Sequence, residues 1–188
     1  MATIWFTSDS HFHHANFLTF KDKKGDFIRP FSCVEEVDTL MEERWKEVVK
    51  PQDHIYHLGD LTMERGSRGG PQAQRLIKLI KGLPGHKRLV LGNHDHFSVS
   101  VYQEAGFEKI RGCYGGFEGL VLTHIPVHPD TLWNKVNVHG HIHERLVRIP
   151  EGGKPFHERK PDPKYVNVCV EQTLYRPISL EEIMERIK

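Results

Sequence analysis

The chain has 188 residues, of which 38% are hydrophobic and 27% are charged, and its formal net charge is +1. This composition predicts one folded domain, residues 1–188, and it excludes a protein that coats DNA through many phosphate-neutralising cations, although not a nuclease that uses metal charge. No apolar run reaches the roughly 20 residues of a membrane span, and three scattered cysteines without a CxxC pattern favour the cytoplasm over an oxidising compartment.

In chain order, short apolar runs alternate with amphipathic segments, which indicates an α/β fold. The predicted strands are at residues 4–7, 55–58, 88–91, 108–117 (a pair turning at Gly115-Gly116), 120–123, 135–138 and 165–170. Three predicted helices begin at a capping box at Ser32-x-x-Glu35, at Pro71 and at a second capping box at Ser179-x-x-Glu182. A further short helix is predicted at residues 99–105. Residues 144–164 carry several prolines and glycines and predict either a flap over the site or a solvent loop.

Five of the predicted strands lead directly into polar, metal-binding side chains. The groups delivered are Asp9 with His11, Asp60, Asn93 to Asp95, His124, and His139 to His143. Taken alone, each is compatible with an ordinary polar turn. Because ligands gather at the carboxyl ends of strands in open α/β sheets, five such deliveries predict one metal site. The glycines at positions 59, 92 and 140 are expected to let the backbone turn sharply there.

In order, these five blocks resemble those of the calcineurin-like metallophosphoesterases, from residue 5 to residue 143. Residues 166–168 and 176–179 are similar to the closing segment of small single-domain bacterial and phage members of that family. One block alone is weak evidence, but five in order, each after a strand, are specific. The resemblance implies a four-layer α-β-β-α sandwich, in which two mixed sheets are flanked by helices.

The resemblance also implies two divalent metal ions. It assigns the first metal to Asp9, His11, Asp60 and His143, and the second metal to Asp60, Asn93, His124 and His141. Asp60 would bridge the two. Carboxylate, imidazole and carboxamide ligands suit Mn²⁺, Fe²⁺/Fe³⁺, Zn²⁺ or Ni²⁺. Two such ions about 3.5–4 Å apart can clamp a phosphoryl group and generate a bridging hydroxide near neutral pH.

Four further residues are candidates for catalysis or substrate binding. His94 is not needed as a ligand and is expected to donate to a phosphoryl oxygen or to the leaving group, while Asp95 either holds the His94 ring or serves as a turn carboxylate. His14 and Arg29 are candidates for substrate contact; an exposed or otherwise satisfied histidine is the alternative at His14.

The leading hypothesis is therefore a dinuclear phosphoesterase. Short loops and the absence of a cap domain indicate an open site, which favours phosphodiesters such as cyclic nucleotides or nucleic acid ends over monoesters. One alternative is a catalytically silent scaffold of the same fold, which should have lost ligands or the catalytic histidine. Another alternative is a structural zinc protein, but that needs a closed four-ligand site rather than a surplus of ligands. The expected partner is a phosphate ester such as a nucleotide or nucleic acid, and no membrane partner is expected.

Overall fold

The computed structural model describes residues 2–187, and for residues 116 and 117 it describes the backbone alone. Within this range the strands are β1 (Ile4–Thr7), β2 (His54–His57), β3 (His86–Val90), β4 (Phe107–Arg111), β5 (Cys113–Phe117), β6 (Leu120–Thr123), β7 (Val136–His139), β8 (Tyr165–Asn167) and β9 (Ile178–Ser179). The α-helices are α1 (Val34–Val48), α2 (Pro71–Lys81), α3 (Val99–Glu104) and α4 (Leu180–Arg186).

The strands form two mixed sheets. The first has the order β4-β3-β2-β1-β9, with β1 to β4 parallel and β9 antiparallel to β1. The second has the order β5-β6-β7-β8, with β6 to β8 parallel and β5 antiparallel to β6. A single parallel bridge between Ser8 and Cys169 connects segments that follow β1 and β8. The parallel strands of both sheets therefore deliver their carboxyl ends to a common edge.

Two apolar cores hold these layers together. One core joins the first sheet to α1, α2 and α3, and α1 contributes Val37, Met41 and Trp45 at a spacing of four residues, as expected for one face of a helix. The other core lies between the sheets and contains Phe6 and Leu58 from one side and Leu122 and Val138 from the other. The α/β architecture of two mixed sheets with flanking helices, predicted from the sequence, is confirmed. Within residues 2–187, no helix is long and apolar enough to cross a membrane.

Two local predictions were wrong. Residues 108–117 do not form a strand pair, because β4 lies beside β3 in the first sheet whereas β5 belongs to the second; the turn falls instead at Glu118-Gly119, where both residues have positive φ. The residue before α1 is Cys33, which makes no side-chain cap, so the capping box predicted at Ser32 is absent there. The capping box of Ser179 and Glu182 before α4 is present as predicted.

Candidate metal centre

The turns that follow the strands have an unusual backbone conformation. Ten non-glycine residues in the described range have positive φ, an uncommon conformation for residues with a side chain. Five of the ten are predicted ligands: Asp9 (57°), His11 (47°), Asp60 (54°), His141 (70°) and His143 (50°). Strain of this kind persists only where the surrounding structure enforces it, and it clusters at functional sites.

The three glycines of the site allow these turns to approach one another. At Gly59, which has a φ of +96°, an added Cβ would lie 2.6 Å from the Gly92 backbone nitrogen and 2.7 Å from His124 Nδ1. At Gly92 an added Cβ would overlap Asp60, and at Gly140 it would overlap Asp9. The expected freedom to turn is thus used at Gly59, whereas Gly92 and Gly140 are required for close packing and do not have positive φ.

The ligand set predicted for the first metal comes together at one point. Asp9 Oδ1 lies 3.9 Å from His11 Nε2 and 3.7 Å from His143 Nε2. His11 Nε2 lies 3.7 Å from Asp60 Oδ2. Separations of this size leave room for an ion between the ligand atoms, since each metal–ligand bond would be about 2.0–2.2 Å.

The second predicted set adjoins the first. His124 Nε2 lies 3.3 Å from Asp60 Oδ2, 2.9 Å from Asn93 Oδ1 and 3.2 Å from His141 Nδ1. Asp60 Oδ2 therefore belongs to both sets and occupies the position expected of a bridging ligand. The structure brings all seven predicted ligands to this one centre.

The unsatisfied atoms at this centre fit bound cations. Asp9 Oδ1 and His11 Nε2 are buried without any hydrogen-bond partner, although buried polar groups are nearly always paired. His124 Nδ1 lies 2.8 Å from the Leu58 carbonyl oxygen, so donation by Nδ1–H leaves the Nε2 lone pair directed at the cluster. Oxygen and imidazole nitrogen donors of this kind suit divalent transition metals.

The charges at the centre also favour cations. Burial raises the pKa of the Asp9 carboxyl and lowers the pKa of His11 well below its usual value. Burial opposes ionisation of Asp60 as well, but hydrogen bonding to His124 and the charge of that imidazole hold the pKa of Asp60 below its usual range. Although burial disfavours its charged form, the pKa of His124 is raised to about 9 by its hydrogen bond with Asp60 and the charges of Asp9 and Asp60. Without metal, the protonated ring of His124 supplies positive charge that bound ions would otherwise supply.

Donors around Asp9 fix which of its oxygens faces the cluster. Ser8 Oγ donates to Asp9 Oδ2 at 2.5 Å, the His141 amide at 2.9 Å and Cys169 Sγ at 3.2 Å. Three donors on Oδ2 leave Oδ1 as the oxygen available to a cation. The sequence predicted the Asp9 carboxylate but none of the donors that orient it.

A buried ion pair between Arg29 and Glu171 contacts two members of the first ligand set, Asp9 and His143. Arg29 Nη2 lies 2.7 Å from Glu171 Oε1, and the Glu171 carboxylate lies 3.3 Å from His143 Nδ1. The same guanidinium donates to the carbonyl oxygens of Asp9 and Ser10 at 2.5 and 2.8 Å. Because Glu171 directly follows the predicted strand at residues 165–170, extending the strand-end argument to that strand could have found this residue.

The predicted contact between Arg29 and substrate does not fit this geometry. Arg29 is only 1% exposed, and Nε, Nη1 and Nη2 all donate to protein acceptors. Its position is explained by the Asp9 turn and by Glu171. In this conformation Arg29 positions ligands and does not reach the substrate side of the centre.

His94 and Asp95 make different contacts within the same turn. The His94 amide donates to Asp60 Oδ1 at 2.8 Å, and its ring lies 5.7 Å from the His11 ring, centroid to centroid. The Asp95 carboxylate accepts from the amides of Gly92, Asp60 and Leu61 at 2.8, 2.9 and 3.0 Å. Burial raises the pKa of Asp95 to about 6. These contacts correspond to the turn-carboxylate alternative rather than to a carboxylate that holds the His94 ring.

A groove of about 460 Å³ opens beside the centre. Its polar lining comprises the rings of His11, His14, His94 and His143 together with Asn16 and Thr19, and its apolar lining comprises Phe17, Phe20, Ile28 and Met63. His14 Nδ1 is buried there without a partner. His14 thus lies where a substrate contact was predicted, and that contact stays a prediction.

His57 and His139 are fully buried beside the centre, where each ring has one nitrogen paired with a protein group. His57 Nε2 pairs with Ser10 Oγ at 2.9 Å, and His139 Nδ1 lies 2.8 Å from the Gly140 carbonyl oxygen. Burial lowers the pKa of His57 to about 3 and that of His139 to about 4, so both rings are neutral supports.

Comparison with known proteins identifies the family. The family model described as calcineurin-like phosphoesterase matches residues 2–176. The chain belongs to this family. Membership implies phosphoester hydrolysis that depends on divalent metals, and the metal-ligand geometry of the centre agrees with that activity.

Proteins similar to this chain occur in an archaeon, a phage and a bacterium. The chain is 33% identical over 190 residues to uncharacterized protein MJ1445 of Methanocaldococcus jannaschii, covering 100% of this chain and 93% of that protein. It is 30% identical over 179 residues to the gene 66 protein of Mycobacterium phage L5, covering 78% and 80% of the two chains. The crystal structure of AQ665 from Aquifex aeolicus, a protein of unknown function, superposes with a TM-score of 0.66 at 27% identity, covering 98% and 99%.

Proposed function

We propose that this member of the calcineurin-like phosphoesterases is a single-domain, dinuclear phosphodiesterase. The observation that carries the proposal is the sharing of Asp60 Oδ2 between two ligand sets, each built from carboxylate, imidazole or carboxamide atoms. The first ion would be held by Asp9, His11, Asp60 and His143. The second would be held by Asp60, Asn93, His124 and His141.

The proposed roles of the ions, His94 and Asp95 in catalysis are different. Two bound divalent cations would neutralise phosphoryl oxygens and lower the pKa of the water that attacks phosphorus. His94 lines the groove beside His11, where it is placed to give a proton or hydrogen bond to the leaving oxygen as the P–O bond breaks. Asp95 holds the Gly92 turn against the Asp60 loop and so keeps the two ligand sets in register.

The open groove favours diesters. A diester carries two organic groups, and an open groove admits one on either side of the ions. The groove beside His11 and His94 provides one such space, and a second hollow of about 370 Å³ is lined by Asn93 and His124. Cyclic nucleotides and nucleic acid ends are diesters of suitable chemistry.

Metal identity and compartment complete the proposal. Mn²⁺ is the first candidate for both positions, because it accepts mixed oxygen and imidazole ligands; Fe²⁺/Fe³⁺, Zn²⁺ and Ni²⁺ are the others. Cys33, Cys113 and Cys169 are all free, which favours the reducing cytoplasm.

The experiment is a hydrolysis panel on protein that is stripped of metal and then reloaded with Mn²⁺, Ni²⁺, Mg²⁺ or Zn²⁺. We expect hydrolysis of bis-p-nitrophenyl phosphate to exceed hydrolysis of p-nitrophenyl phosphate, and expect neither in the stripped protein. Faster monoester hydrolysis would overturn the diester preference. No hydrolysis of any ester by protein with two bound metals would instead support the silent-scaffold alternative.

A further inference from the structure

Three phenylalanines on one side of the metal centre are exposed to solvent. Phe20, Phe27 and Phe156 are 46%, 51% and 49% exposed, and no other phenylalanine whose side chain the structure describes is exposed to this degree. Phe20 lines the groove that also contains His11 and His94. Exposed aromatic rings beside the groove of a candidate metal centre indicate a binding surface.

Cations accompany two of these rings. Lys21 Nζ lies 4.6 Å from the centroid of the Phe27 ring. Lys23 Nζ and Arg148 Cζ each lie 5.9 Å from the centroid of the Phe156 ring. Phe20, Lys21, Lys23, Phe27, Arg148 and Phe156 are together called the aromatic–basic strip.

The strip borders a hollow of about 230 Å³ with an excess of positive charge. Its charged lining comprises four fixed cations, Lys23, Lys24, Arg145 and Arg148, and two carboxylates, Asp22 and Glu144. Asp22 Oδ1 accepts from the amides of Lys24 and Asp26, so one oxygen of this carboxylate is bound within its own turn.

The strip is also continuous with the metal centre. A second hollow of about 300 Å³ shares Lys23, Arg148 and Phe156 with the first and is lined as well by Ile142, which stands between the predicted ligands His141 and His143 in the chain. At its other end, Phe20 faces the groove. A ligand that follows the strip would therefore reach the ions.

We propose that the aromatic–basic strip binds single-stranded nucleic acid and feeds one of its phosphodiesters to the metal centre. This inference rests on the proposed function and names its substrate class. Alternating cations and ring faces match the alternating phosphates and bases of a single strand, because any base can stack on an aromatic ring. Paired bases in a duplex are stacked on each other and do not offer these faces. A free mononucleotide would engage Phe20 but not Phe156.

The test is fluorescence anisotropy of a labelled single-stranded oligothymidylate, twelve nucleotides long, with full-length protein in EDTA so that no strand is cut. Phe27→Ala and Phe156→Ala should each weaken binding by about 5–150-fold, the span produced by loss of one base–aromatic stack. Trp133, which is 84% exposed on another segment, provides the matched control, and Trp133→Ala should bind like the unmodified chain. Circular dichroism verifies that each variant is folded.

Salt dependence provides a second readout. Lys23→Ala and Arg148→Ala should each lower the slope of log K against log salt concentration by about 0.7. Lys78→Ala and Lys81→Ala, on α2 outside the strip, should leave this slope unchanged.

Unchanged oligonucleotide affinity in all four strip variants would overturn the proposal, as would tighter binding of the matched duplex than of the single strand. Loss of binding to phosphatidylserine vesicles, with oligonucleotide binding retained, would assign the strip to an anionic lipid surface instead. If the strip variants bind the oligonucleotide normally and the protein still hydrolyses diesters with metal, the nucleic-acid-binding role of the strip is refuted and the proposed function stands. If the strip binds the oligonucleotide but the metal-loaded protein hydrolyses no ester, the proposed phosphodiesterase activity is refuted.

Discussion

Replacing Glu171 with glutamine removes one charge from a buried network without changing the side-chain volume. The carboxylate is the ion-pair partner of Arg29 at 2.7 Å and lies 3.3 Å from His143 Nδ1, with the two ion-paired side chains only 1% and 5% exposed. Removal of one partner from a buried pair costs about 3–5 kcal/mol, because the other charge stays desolvated. The amide can still accept one hydrogen bond, so we expect a loss near 3 kcal/mol for metal-free protein.

The same substitution should weaken the first metal. Loss of a carboxylate that orients a ligating imidazole costs about 10–100-fold in metal affinity. Urea denaturation of the metal-free protein measures the stability change, and titration calorimetry with Mn²⁺ measures the affinity. Glu104→Gln is the matched control, since the Arg68–Glu104 pair has the same 2.7 Å distance but is 62% and 30% exposed; an exposed pair contributes about 0.2–1 kcal/mol.

A change below about 1 kcal/mol in Glu171→Gln, with unaltered affinity for both metals, would refute this reasoning about the network. A stability loss without a change in metal affinity would show that Glu171 serves Arg29 alone.

Three further predictions address chemistry, metal linkage and packing. His94→Ala should retain both metals and lose about 10²–10⁴-fold in kcat, with a smaller loss for a nitrophenolate leaving group than for an alkoxide; full activity on every ester would remove His94 from the mechanism. Mn²⁺ at a hundredfold excess over Kd should stabilise the fold by about 2.7 kcal/mol, which raises Tm by about 5–11 °C and is reversed by chelator; an unchanged melting curve after verified metal removal would contradict a pre-organised site. Gly140→Ala places a Cβ onto Ser8 and Asp9, so it should reduce metal occupancy, whereas Gly152→Ala, where an added Cβ meets open space, should not. Equal metal occupancy in both variants by elemental analysis would show that the turn at residue 140 shifts without disturbing the ligands.

The place where the candidate ligands meet could be predicted because strand ends are local signals that the fold preserves. Apolar runs such as residues 120–123 end where the sheet ends, and parallel strands place those ends at one edge. The position of His124 could therefore be predicted without knowledge of distant contacts. Asp60 was predicted in the same way.

The missed features depend on distant partners. Arg29 and Glu171 are separated by 142 positions, and no local pattern shows that the arginine is buried against that carboxylate. The Asp95 carboxylate likewise finds its amides 34 and 35 positions away, beside Asp60, as well as at Gly92. Residues 108–117 were predicted to form a strand pair because an apolar pattern indicates where strands lie but not which sheet each strand joins.

The shared position of Asp60 is the central claim, and elemental analysis of Asp60→Asn measures it most directly. The unmodified chain reloaded with Mn²⁺ should contain two ions, whereas the variant should lose occupancy at both positions, because Asp60 Oδ2 lies 3.7 Å from His11 Nε2 and 3.3 Å from His124 Nε2. Asp130→Asn, at a carboxylate 89% exposed, should keep both ions. Two ions per chain bound with near-normal affinity by Asp60→Asn would contradict the shared ligand and with it the dinuclear centre proposed for this chain.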